Sequence, residues 1–146
     1  ESESFEHQGA IPRRHAYRGE GENVSPAIAW RGLPEGTRDI ALVCDDPDAP
    51  RPEPWVHWVL FGIAPEVAGL PAGDASAAVA GRNTWDESGW GGPLPPEGHG
   101  PHRYRFRVYA LDRRLDLAPG ATQDELLGAI RGHVIGEGGI VGTYER

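Results

Sequence analysis

The chain has 146 residues with 21 Gly, 14 Pro and a single Cys, and its formal net charge is −8. That length fits one domain, residues 1–146, with room for a buried core, and so much Gly and Pro favours a turn-rich, mainly β chain. The acidic balance argues against nucleic acid and anionic membrane surfaces as partners, and a lone Cys44 excludes an internal disulfide and any cysteine-based zinc site. Residues 1–22 read as a polar, irregular lead-in. "SPAIAWRGLPEG" suggests a short strand over residues 27–31 and a turn at residues 34–36. "DIALVCD" is a continuous apolar run bounded by turn residues, the pattern of a buried strand. "WVHWVLFGI" is apolar at both alternating sets of positions, as expected of a strand covered on both faces. Its alternation places His57 on the face of Val59 and Phe61.

Residues 64–101 read as loop, ending in "GWGGPLPPEGHGP". "HRYRFRVYALD" alternates cleanly: Arg103, Arg105 and Arg107 point one way, and His102, Tyr104, Phe106 and Val108 the other. One helix is signalled. Thr122 and Glu125 make a capping box. Leu126, Leu127, Ile130 and Val134 follow at helical spacing, with Gly136 as the expected stop. "GIVGTYER" closes the chain as a strand. No run is apolar and long enough to span a bilayer, and no signal peptide is visible. A cytoplasmic protein is expected, with a processed N-terminus, and hence export, left open.

The chemistry-bearing residues converge on strand ends. "DIALVCD" runs into Asp45, Asp46 and Asp48, "HRYRF" begins with His102 and Tyr104, and His57 lies inside an apolar stretch. Polar groups at core-facing positions need partners or a solvated cavity. If these strands are neighbours, the two histidines, Tyr104 and one or two aspartates meet in a small concave polar site. Singly, each residue is better read as a satisfied core histidine or a turn-forming aspartate. Together they favour a site. The glycines of residues 89–101 allow backbone N–H groups to approach an anion, and that loop leads directly into His102.

"DPDAP" (46–50), "HWV" (57–59) and "GPHRY" (100–104) resemble the two signature regions of the phosphatidylethanolamine-binding protein family, in particular its bacterial Raf-kinase-inhibitor-like branch. "ENVSPAIAWRGLPEGT", "GGPLPPEGHGPHRYRFRVYALD" and "GHVIGEGGIVGTYER" are similar to that branch too. The resemblance implies a mainly β sandwich, a large central antiparallel sheet packed on a smaller one, with a helix near the C-terminus. It implies a non-catalytic protein that binds phosphate-like anions, phospholipid headgroups included; no cofactor is expected, and no metal, since no compact ligand spacing is present. It places Asp46, Asp48, His57, His102 and Tyr104 on the pocket and Gly92 on a loop lining it. Leu94 stands where animal members carry glycine. A regulatory or inhibitory role toward a protein partner, and a homodimer, are further implications. So is a cis peptide in the loop between Asp46 and Trp55, with the bonds preceding Pro50 and Pro54 as candidates.

In an extended chain Asp46 and Asp48 point to one side, roughly 6–7 Å apart. The expectation is that a protonated histidine pair receives the anion while the carboxylates hold the imidazoles in the donor state or meet an ammonium head. The rival reading is a metal-dependent hydrolase built on the Asp/His set. Neither a compact H-x-x-x-H spacing nor a G-x-S-x-G nucleophile motif is present to support it.

Overall fold

The computed structural model describes all 146 residues. After a 3-10 turn at Arg13–His15, seven strands and one α-helix follow in order: β1 (Ile28–Ala29), β2 (Asp39–Asp46), β3 (Trp55–Ile63), β4 (Gly69–Leu70), β5 (Val79–Ala80), β6 (His102–Leu111), α1 (Gln123–Ile130) and β7 (Val134–Tyr144). Five of them form one antiparallel sheet in the order β5-β3-β2-β6-β7, and β1 pairs antiparallel with β4 in a small second sheet. β2 is the centre. All eight of its residues are buried, which explains why "DIALVCD" is apolar without alternation: it is covered on both faces. β3 and β6 therefore flank β2 and do not touch as neighbours.

One face of the large sheet packs Ile40, Leu42, Cys44, Trp58, Leu60, Tyr104 and Phe106 against the small sheet and the N-terminal segment, through Phe5, Ile11, Ile28 and Leu70. The opposite face packs Ala41, Val43, Val59, Phe61 and Leu111 against Leu126 and Ile130 of α1. The capping box forms as its residues require: Thr122 Oγ1 accepts from the Glu125 N–H, and the Glu125 carboxylate accepts from the Thr122 N–H.

The helix is shorter than its spacing suggests. It ends at Ile130, Gly132 takes a left-handed conformation (φ 81°), and Val134 begins β7 opposite Leu111. Val134 falls at a helical interval from Ile130 only by coincidence; it is β-branched, exposed and in a strand. Gly136 is no helix stop. It sits in β7, where a Cβ would lie 2.7 Å from Cγ of Pro34.

The loop after β2 is also unlike the expectation. Every peptide bond is trans, including those preceding Pro50 and Pro54. The chain reverses by other means. The Asp48 N–H donates to Asp46 Oδ1 at 2.8 Å, and the Arg51 N–H donates to the Ala49 carbonyl at 2.7 Å. With these local bonds closing the turn, nothing offsets the preference of about 0.5–1 kcal/mol for trans before proline.

Candidate functional site

Antiparallel pairing brings the last residue of β2 and the first residues of β3 and β6 to one end of the large sheet. There a cavity of about 250 Å³ is lined by Asp46, Trp55, His57, His102 and Tyr104 from the strands, with Ala49, Pro50, Trp85, Leu94, Pro95 and Pro96 from the loops. A larger hollow of about 360 Å³, bordered by Trp30, Pro34 and the glycines of β7, lies elsewhere on the sheet and holds none of these groups.

His57 reaches the cavity through a break in the alternation. Asp45 pairs with Val56 and Cys44 with Trp58, so β3 carries one extra residue, His57, between them. The bulge resets the pleat. Trp58 joins the face of Cys44 and Phe106, Val59 the opposite face, and His57 turns toward Tyr104, with ring centroids 5.1 Å apart across β2. The simple two-residue period, which put His57 with Val59 and Phe61, fails at this position for that reason.

The His57 ring is fully enclosed and packed edge-on against Trp85 and Tyr104. Its Nδ1–H donates to the Gly91 carbonyl at 2.6 Å, and the Gly91 N–H donates back to the His57 carbonyl at 3.0 Å. Burial lowers the pKa of His57 to about 4, against the smaller opposing effects of that hydrogen bond and of Asp46. The ring is therefore neutral at physiological pH, not the protonated member of an anion-receiving pair.

His102 has a different role. Its Nδ1–H donates to Asp46 Oδ2 at 2.6 Å, and its Nε2 lies 2.6 Å from Nδ1 of His99, the two rings sharing one proton between those nitrogens. Asp46, His102 and His99 thus form a chain from a buried carboxylate to an exposed imidazole. His99 lies outside the strand ends where the sequence pattern gathers the other polar groups. Its signal was a second histidine three residues before His102, inside the glycine loop.

The three aspartates go to three places. Asp46 is buried and serves His102. Asp45 points to the opposite face, as its adjacent position dictates, and accepts from Arg105 (2.9 and 3.0 Å) and Arg107 (3.0 Å). Asp48 does not line the cavity. It takes a two-pronged hydrogen bond from the Arg103 guanidinium (3.0 and 2.8 Å) and one from the Arg103 N–H (2.8 Å). That hydrogen bonding lowers its pKa to about 2. The expected parallel pair of Asp46 and Asp48 is broken because Asp48 lies beyond the strand, in the turn.

Gly92 supports the cavity without lining it. Its N–H donates to Asn23 Oδ1 at 2.8 Å, and a Cβ there would stand 2.0 Å from the His15 carbonyl oxygen. Only glycine allows this approach of two backbones. The contact fixes the preceding residue, Gly91, whose carbonyl orients His57. Leu94 does line the cavity, as its position suggested.

Two polar atoms of the lining residues are buried without a hydrogen-bond partner: the Tyr104 hydroxyl and the Trp55 indole N–H. Burial, with Asp46 next in effect, pushes the Tyr104 pKa far up, so it stays a neutral donor. At the rim the Arg51 guanidinium lies over the Trp55 ring, 5.1 Å from its centroid. No three His, Cys, Asp or Glu side chains are grouped to hold a metal ion.

A two-sheet, mainly β architecture with a polar cavity where β2, β3 and β6 converge defines the class of protein. The model of the phosphatidylethanolamine-binding proteins matches residues 1–145, and the chain belongs to that family. It is 45% identical over 149 residues to a UPF0098 protein of Methanothermobacter thermautotrophicus, covering 98% of this chain and 95% of the relative. It is 38% identical over 123 residues to the UPF0098 protein YbhB of Escherichia coli, covering 77% of each. Among solved structures it is similar to YbcL of Escherichia coli, described as a member of the mammalian PEBP family (TM-score 0.94, 31% identity, 100% of this chain and 96% of that one). It is likewise similar to the PEBP homolog CT736 of Chlamydia trachomatis (TM-score 0.92, 35% identity, 99% and 95%).

Proposed function

We propose that the chain is a non-catalytic binder of small phosphate-like anions, free or on a phospholipid headgroup, which it takes into the cavity at the end of β2, β3 and β6. One observation carries the reading: the Tyr104 hydroxyl and the Trp55 indole N–H are both buried, both without a protein partner, and both belong to residues of one cavity. A buried donor left unpaired costs about 1–3 kcal/mol, and an oxyanion offers several acceptors at once. Arg51, whose guanidinium lies over the Trp55 ring, supplies compensating positive charge. Asp46 is held by His102 and the Asp48 N–H, so both of its oxygens are occupied.

The test is a phosphate titration followed by NMR on the Trp55 indole N–H, repeated on Tyr104→Phe. Saturable movement of the indole signal, and affinity weakened about tenfold by loss of the hydroxyl, are expected. An indole signal unmoved by phosphate overturns the reading. In the same reading the chain regulates or inhibits a protein partner and pairs with a second copy. Val134 and Ile135, the exposed large apolar side chains of the edge strand β7, support the pairing. Light scattering that returns one monomer mass for the wild type at all concentrations overturns that part.

A further inference from the structure

The donors of the cavity explain why an anion enters; they do not explain which one. His57 supplies the missing constraint. A carbonyl oxygen can only accept a hydrogen bond, so the 2.6 Å contact to Gly91 fixes the ring proton on Nδ1. Nε2 is then a bare lone pair. It makes no hydrogen bond within the protein, and its residue lines the cavity. The enclosure of the ring by Trp85, Trp90 and Tyr104 opposes a second proton there. The charged groups that act on it, Asp46 and Asp45, do not reverse this. Asp46 is already engaged by His102 and the Asp48 N–H, and Asp45 by two arginines on the far face.

The cavity thus holds two donors that want acceptors, Tyr104 and Trp55, and one acceptor that wants a donor. An oxyanion with no proton satisfies the first two and sets an oxygen lone pair against Nε2. An oxyanion that carries a proton satisfies all three. We propose that the cavity selects protonated oxyanions, namely hydrogen phosphate and phosphomonoesters, over sulfate and phosphodiesters, and that the acceptor nitrogen of His57 makes the selection. The inference rests on the anion-binding reading of the same cavity.

The chemistry of the candidates separates them cleanly. A phosphomonoester loses its second proton near pH 6, so the monoprotonated form is available under mild conditions. Sulfate and a phosphodiester have no proton to offer there. A free phosphomonoester is therefore a better occupant than the diester of an intact phospholipid. A lipid headgroup remains a substitute only if its ammonium donates to His57 in place of the P–OH.

The experiment is calorimetry at about pH 6 with inorganic phosphate, methyl phosphate, sulfate and dimethyl phosphate. Phosphoethanolamine and phosphocholine glycerol diesters form a second pair, since the quaternary ammonium of choline cannot donate. Phosphate and methyl phosphate are expected to bind about tenfold or more tighter than sulfate and dimethyl phosphate, the discrimination usual when a buried polar atom is left unpaired. Nitrogen-15 NMR of the His57 ring should show Nδ1 protonated throughout, and Nε2 shifted by phosphate but not by sulfate. His57→Gln, whose amide can donate, should gain sulfate affinity relative to phosphate; if it fails to fold, the wild-type selectivity and the ring nitrogens still decide. Sulfate bound as tightly as phosphate overturns the selection while leaving the anion site standing. Ethanolamine diester bound as tightly as methyl phosphate, with the choline diester excluded, overturns the assignment to monoesters. Binding of none of the probes overturns the anion site and the selection together.

Discussion

His57 makes the chain acid-sensitive in a calculable way. Its folded pKa is about 4 and its ordinary value 6.5, with burial the largest cause. The unfolded chain therefore takes up a proton as the pH falls through about 6.5, whereas the folded chain refuses it until about 4. Stability rises with pH wherever the unfolded state binds more protons, so this contribution is fully present above the upper value, falls below it, and levels off below the lower one. Each step of one pH unit inside the window costs about 1.4 kcal/mol, which makes the loss about 2 kcal/mol at pH 5 and about 3 kcal/mol in full. Against a typical stability of about 5–15 kcal/mol the protein stays folded, and the loss is readable in urea titrations. His15, whose pKa is also lowered chiefly by burial, loses stability in the same direction. The assay is therefore a comparison with His57→Asn, which keeps a donor toward the Gly91 carbonyl but cannot titrate. Between neutral pH and about pH 5 the wild type should lose about 2 kcal/mol more than the variant. Equal losses in the two proteins would refute a neutral, enclosed His57.

Asp46 and Asp48 should separate in function. Asp46→Asn, which breaks the carboxylate end of the His102–His99 chain, should weaken phosphate binding in calorimetry by about tenfold, whereas Asp48→Ala should leave it within about twofold and cost at most about 1 kcal/mol, because the Arg103 pair is largely exposed. Gly92→Ala should lower the unfolding midpoint in a thermal melt by several degrees and weaken phosphate binding, since a Cβ 2.0 Å from the His15 oxygen displaces the segment that holds His57. Cys44 should resist thiol reagents in the folded protein and react at the rate of unfolding: it is fully buried in β2, and burial pushes its pKa well up. Rapid labelling without loss of structure would contradict that placement.

Several features of this protein were written locally and survive in the fold. The apolar run that became β2, the alternation of β6 and the capping box of α1 each depend on residues within a few positions of one another. The family signature added the two-sheet plan and the convergence of Asp46, His57, His102 and Tyr104. The rest depends on distant contacts. A bulge opposite Cys44 and Asp45 turned His57 toward Tyr104, and a one-residue insertion in a strand has no signature of its own in a uniformly apolar sequence. Asp48 was lost to the cavity because Arg103, 55 positions away, captures it. His99 met His102 only when the loop before β6 closed over the strand ends. The protonation of His57 was the least legible of all. An imidazole's charge is set by enclosure and by the nitrogen a neighbour claims, and here Gly91 and Trp85 from the loop before β6 and Tyr104 from β6, all distant from His57 in sequence, set both.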